Sequence, residues 1–284
     1  MTTATNAPRA LILDNRDFVR VDGPEAEDFL NRLVTNDVSR ATQEQAAYAA
    51  LLTPQGKYLF DFFIHRTGTG FLLDLDKGGA PELVKRLSIY RLRAKVELGD
   101  VSDLWRTIAI DFADPHLSIK VAVSSPDPRH QALGQRWIVP AHEAQATADQ
   151  FAAWPQADYR QRMLDNLVPD HGRDLVVDKT FLMDVNFDGL NGVDFKKGCY
   201  IGQELTARMK HRATSRRGLV RVVFDRGPIP VPGTPILSGV REIGQLASGQ
   251  GTCALAIMRM DKLAELDGEP LTADGIGITI TSPI

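Results

Sequence analysis

The stretch "FKKGCYIGQELTAR", residues 195–208, carries the densest chemistry in the chain. Ile201, Leu205 and Met209 recur at every fourth position, so a helix should run through this stretch with Cys199 at or just before its N-terminus. Free backbone N–H groups, the positive end of the helix dipole, Lys196 and Lys197 would all favour a thiolate there, and Glu204 would oppose it. An acidified, nucleophilic Cys199 is therefore expected. The competing reading is the ordinary one for an isolated cysteine, a small buried hydrophobe. Cys253, in the apolar strand-like run "GTCALAIM", fits that second reading. Downstream, "ARMKHRATSRR" gathers Arg208, Lys210, His211, Arg212, Arg216 and Arg217. It reads either as a solvated connector or as a local site for a polyglutamate tail, a phosphate or a nucleic acid backbone.

Composition excludes several alternatives. Two cysteines are too few for a disulfide framework, an iron–sulfur cluster or a structural zinc site within one chain, and the six histidines are scattered singly. A net charge of −3 gives no reason for a broad nucleic-acid surface. "MTTATNAPRA" lacks the apolar core of a secretory signal, and no apolar run is long enough to cross a bilayer. There is no G-x-x-x-x-G-K-[ST] loop, no G-x-G-x-x-G after a strand, no G-x-S-x-G elbow and no H-E-x-x-H. These features predict a reduced, cytoplasmic, monomeric α/β protein with no resident metal and no membrane partner.

The elements that must position Cys199 follow from pattern. "DGPEAEDFLNRLVTND" predicts a helix with an apolar stripe of Ala26, Phe29, Leu30, Leu33 and Val34. "YAALLT", "KYLFDFFIHR" and "FLLDLD", separated by "PQG" and "TGTG", predict antiparallel hairpins. "APELVKRLSIYRL" restores a helical period. "AKVEL", "RTIAID", "IKVAVS" and "RWIVP" predict short strands, and Pro155 should divide a helical stretch over 141–166. After Arg217 the texture turns to glycine-bounded strands. Two domains are expected, 1–215 (two interleaved subdomains) and a small β-barrel over 216–284.

"KGCYIGQE" (Lys197–Glu204) resembles the signature of the YgfZ family, tetrahydrofolate-binding proteins that support iron–sulfur cluster assembly or repair. "VDGPEAEDFLNRLVTNDV", "LLTPQGKYLFDFFI", "YRLRAKVEL", "VNFDGLNGVDF" and "REIGQLASGQGTCALAIMRM" agree with that family in order, so the resemblance spans nearly the whole chain. It implies an α+β fold like that of the glycine cleavage system T protein, a folate-dependent aminomethyltransferase. That fold has a ferredoxin-like portion, a folate-sized cavity and a C-terminal β-barrel closing over it.

The resemblance further implies Cys199 and Lys197 as reacting and tuning groups. Around folate it implies Asp61, Arg162, Asp184, Asn186, Tyr200, Gln203, Glu204 and Arg208. The T protein's acidic pair is reduced here to Phe60–Asp61, and its downstream glutamate is missing from "RQRMLDNLVP". A phenyl ring cannot carry a proton. The expected function is thus a folate-binding accessory protein serving cluster assembly machinery or client proteins. A one-carbon transferase and a folate protein linked to tRNA modification are the alternatives. The chemical role of the thiol stays open between holding iron or persulfide sulfur, attacking a mixed disulfide and capturing a folate-borne carbon.

Overall fold

The computed structural model describes residues 7–111, 121–211, 216–266 and 268–281. Its contacts divide the chain into two units that alternate along the sequence. The first takes the described residues up to Leu51, then Phe60–Tyr159 and Asn191–Tyr200. The second takes Leu52–Leu59, Arg160–Leu190 and the described residues from Ile201 onward.

Among the described residues, ten strands build two sheets, with the ends of β3 and β4 counted in the second unit. They are β1 (Arg9–Leu13), β2 (Arg16–Asp22), β3 (Ala47–Leu52), β4 (Tyr58–Arg66), β5 (Gly70–Asp76), β6 (Glu97–Asp100), β7 (Trp105–Ile110), β8 (Val123–Pro126), β9 (Gln135–Pro140) and β10 (Ala152–Ala153). One sheet runs β3-β4-β5-β2-β6 and the other β10-β1-β7-β9-β8. The expected hairpin is present, with Phe62 opposite Leu75 and Arg66 opposite Phe71. Strand β3 is buried along its whole length, which is why "AYAALL" shows no polar alternation.

The helix expected from "DGPEAEDFLNRLVTND" is shorter than its apolar stripe. Helix α1 covers Ala26–Asn31 only. Leu33 and Val34 are buried all the same, because the chain leaves the helix and Val34 bridges Leu51. Helix α2 (Ala80–Arg91) buries Leu83 and Leu87 as its period demands. Pro155 separates α3 (Ala144–Ala148) from α4 (Gln156–Asp165). Residues 119–120 of the expected strand "IKVAVS" lie outside the described residues, as does His116.

In the second unit, α5 (Gln203–His211) precedes six strands: β11 (Arg217–Phe224), β12 (Pro235–Ser238), β13 (Arg241–Gln250), β14 (Cys253–Arg259), β15 (Leu271–Ala273) and β16 (Ile276–Ile280). They close into a barrel in the order β11-β14-β13-β12-β15-β16. Closure removes the unpaired edges that an open sheet of these short strands would expose. Alternation along β11 points Val220, Val222 and Phe224 into the barrel core beside Ile236 and Met258. Leu219 points outward and packs with Leu164 and Leu255, where Cys253 also sits, half-buried. A short α6 (Met260–Leu263) follows β14. The boundary expected near 215–218 falls partly on residues 212–215, outside the described residues.

Candidate functional site

Cys199 is exposed on the irregular loop Asn191–Tyr200 of the first unit. Side chains pin that loop, since it has no ladder to hold it. Thr35 Oγ1 donates to the Gly192 carbonyl at 2.6 Å, and Asn36 Nδ2 to that of Asn191 at 2.7 Å. The Asp194 carboxylate accepts the Lys196 N–H at 2.7 Å and pairs with Arg40 at 2.7 Å. The turn-forming "TND" after α1 thus serves as a clamp as well as a helix stop.

Lys197 is the root of the loop. Its Nζ donates to the carbonyls of Asn31, Val34 and Asn36 at 2.8, 2.8 and 2.7 Å, and sits 5.4 Å from the centre of the Tyr200 ring. An ammonium has three protons, and the last carbonyl of α1 and two carbonyls of the segment after it each take one. Burial pulls the ammonium's pKa down to about 8 although Asp37 and Asp194 oppose the shift. Lys197, expected to tune the thiol, thus has its protons committed to these carbonyls. Tyr200 is buried beneath the loop, and Gly198 and Cys199 form its exposed crest.

The helix expected at or beside Cys199 begins only at Gln203. Gly202 explains the delay. Its φ of +80° is not helical, and a Cβ there would lie 2.6 Å from the Thr53 carbonyl oxygen and 3.0 Å from Gly56 Cα. Two glycines of distant segments therefore pack backbone to backbone. A helix dipole acts mainly within its first turn, and Cys199 lies before that turn.

The other expected residues divide between the units. Asp61 lies inside the first unit and accepts the Tyr48 hydroxyl at 2.7 Å. Burial and the Asp61 charge push the Tyr48 phenol well above its usual pKa, which keeps it a donor. Phe60 is half-buried beside it. In the second unit, Asp184 lines a cavity of about 600 Å³ with Asp174, Lys179, Met209, Arg217 and Arg259. Asn186 closes the turn Leu182–Val185 in left-handed backbone. The Arg162 carbonyl, in α4, accepts the Asn166 amide. Gln203 is half-buried, whereas Glu204 pairs with Arg208 at 2.5 Å. Lys210 pairs with Asp188 at 2.6 Å, so the basic run 208–217 is partly neutralised. Arg212 lies outside the described residues.

Sequence reasoning missed a buried charge network in the first unit. Asp74 accepts Arg16 Nε at 2.6 Å, Arg136 Nη2 at 2.6 Å and the Thr107 hydroxyl at 2.9 Å. Asp127 holds Arg129 at 2.8 Å and Arg136 at 3.5 Å. Three guanidiniums surround the Phe63 ring, that of Arg136 at 3.7 Å. Burial pushes the Asp74 carboxyl up, but Arg16 and Arg136 outweigh it and hold the group well below the usual range. Its signal in sequence was the acid inside each apolar run, Asp61 in "FDFFIHR" and Asp74 in "FLLDLD". Among the described residues, no cluster of three or more His, Cys, Asp or Glu side chains is arranged to hold a metal.

Comparison with known proteins places these features in a family. Residues 11–111 match the GCVT N-terminal domain, and residues 216–284 the CAF17 C-terminal β-barrel domain. The chain is 32% identical to the human iron–sulfur cluster assembly factor IBA57, mitochondrial, covering 92% of this chain and 80% of that protein. The homologue of Pyricularia oryzae is 30% identical over 92% of this chain and 75% of its own. The mouse protein is 29% identical over 88% and 77%. The glycine cleavage system aminomethyltransferase T of Bartonella henselae superposes with a TM-score of 0.77 over 97% of this chain and 85% of its own, at 16% identity. The expected fold is therefore the observed one, a T-protein-like architecture with a closed barrel. The cytoplasmic expectation is corrected, since all three of these relatives are mitochondrial. Cysteine usage reports the redox state of a compartment and cannot distinguish two reducing ones.

Proposed function

The chain belongs to the IBA57 family of iron–sulfur cluster assembly factors, and from that premise we propose that it assists cluster assembly or repair through the Cys199 thiol. The observation that carries this reading is the loop itself. It holds an exposed sulfur at its crest while Lys197, Asp194 and Tyr200 fix its base. A thiol on a fixed mount suits ligand exchange with a cluster delivered by a partner protein. As the sulfur–iron bond forms, the delivering protein's thiolate leaves the iron and takes the Cys199 proton, and the bond later passes to an acceptor thiol by the same exchange, with no net redox change. One sulfur supplies one bond, so the remaining ligands come from the proteins being served.

Tetrahydrofolate is the ligand we assign to the same chain. The buried Asp61 carboxylate is the group we assign to the N–H edge of a pterin, because a carboxylate oxygen accepts such donors as it accepts the Tyr48 hydroxyl. Bound folate would supply one-carbon chemistry. Phe60 in place of an acid leaves no proton carrier there, which favours binding over aminomethyl transfer. Calorimetric titration with tetrahydrofolate should show saturable binding that Asp61→Asn weakens by about tenfold or more and that Cys199→Ala leaves alone. Undiminished affinity in Asp61→Asn would refute the placement.

A further inference from the structure

The segment "YRLRAKVEL" has no part in the reading above, yet its geometry is unusual. The Ala94 N–H closes a turn onto the Arg91 carbonyl at 2.7 Å, with Leu92 and Arg93 at its tip. Leu92 has φ +44° and ψ −107°, the first central position of a type II′ turn, where glycine is the normal occupant. The same leucine is 87% exposed, and Ile89, one turn of α2 earlier, is 60% exposed. A strained backbone that presents an apolar side chain to water receives no packing in return from its own chain.

The base of the turn is rigid. The Lys95 N–H donates to Glu25 at 3.0 Å, and the Lys95 carbonyl oxygen lies where a Cβ on Gly23 would be 2.3 Å away, so only glycine fits beneath it. Two concavities flank the tip. One, of about 940 Å³, is lined by Asp22, Gly23, Arg93, Lys95 and Glu97, and the other, of about 500 Å³, by Glu25, Phe29, Arg32, Tyr90 and Arg93.

Charge selects the occupant. Among the described residues, Arg91, Arg93 and Lys95 have no carboxylate within ion-pair distance, whereas Asp22 pairs with Arg20, Asp28 with Arg32, and Glu25 accepts a backbone N–H. Glu25 and Glu97 are the acids lining these hollows without a cationic partner among the described residues, so the three unpaired cations leave a net positive charge of one. We propose that the Arg91–Lys95 turn is a docking surface for an acidic segment of a partner protein. Leu92 is its apolar anchor, and the two hollows receive partner side chains. The hollows favour a protein over a lipid surface, which has no side chains to place in them.

A random dodecapeptide library panned against the full chain, with prior depletion on Leu92→Gly, tests the proposal. Glycine relieves the turn, so Leu92→Gly should melt at or above the wild-type temperature. Enriched peptides should be net acidic with an apolar residue. Their synthetic versions should bind Leu92→Gly and the Arg91→Glu/Arg93→Glu double variant at least about tenfold more weakly, and weaken further with salt. The proposal is overturned if no Leu92-dependent peptide emerges, or if those that emerge are basic. Leu92-dependent binding to phosphatidylserine vesicles in place of peptides would overturn it too.

Discussion

Lys197 illustrates how a residue's chemistry is set by what it touches. Beside a cysteine in sequence it reads as an electrostatic partner, but its three protons go to three carbonyls. Lys197→Met should therefore act on stability. It leaves those carbonyls without donors in a half-buried place, a loss of about 2–3 kcal/mol that lowers Tm by several degrees. Calorimetry of the two proteins checks this, and coincident melting curves would show that the clamp contributes nothing. Residue types left the Cys199 thiol open between a reactive group and a small buried hydrophobe, and its exposure is what the structure adds. The clamp was not, since it joins residues 31–36 to 197, and no local pattern records such a pairing.

The same division holds for the elements. Hairpins and α2 were readable because their periods match their burial, whereas α1 stops at Asn31 while its apolar stripe continues into a bridge with β3. The delayed start of α5 depends on Gly202 meeting Gly56, again a contact between distant segments. Within the sheet of β4 and β5, His65 is fully buried, with neither ring nitrogen hydrogen-bonded and Nε2 4.0 Å from Asp74. Burial lowers its pKa to about 4; Arg136 and Arg16 act in the same direction, while Asp74 and Asp127 oppose.

The unfolded chain therefore binds more protons than the native one between pH about 6.5 and 4. Stability present above that window should fall through it by about 3 kcal/mol as pH drops. Asp74 adds to that slope only near its lower edge, because its folded carboxyl gains no proton within the window and an unfolded aspartate begins to do so only there. In His65→Phe, urea unfolding across the same pH range should lose most of the slope. An unchanged slope would place the titrating group elsewhere.

At the scale of the molecule, the family fold combines two sheets, a closed barrel and a loop that presents one sulfur. The barrel was legible in glycine-bounded alternating strands after Arg217. The family resemblance implied interleaving within residues 1–215, but which segments join which unit was not legible, because segments such as Leu52–Leu59 carry no signal of the unit they join. The decisive measurement is complementation of cells that lack this chain and show deficient iron–sulfur enzymes. Cys199→Ala removes an exposed side chain, so the variant should fold with a melting temperature near wild type and still fail to restore those enzymes. Full restoration by Cys199→Ala would contradict the account.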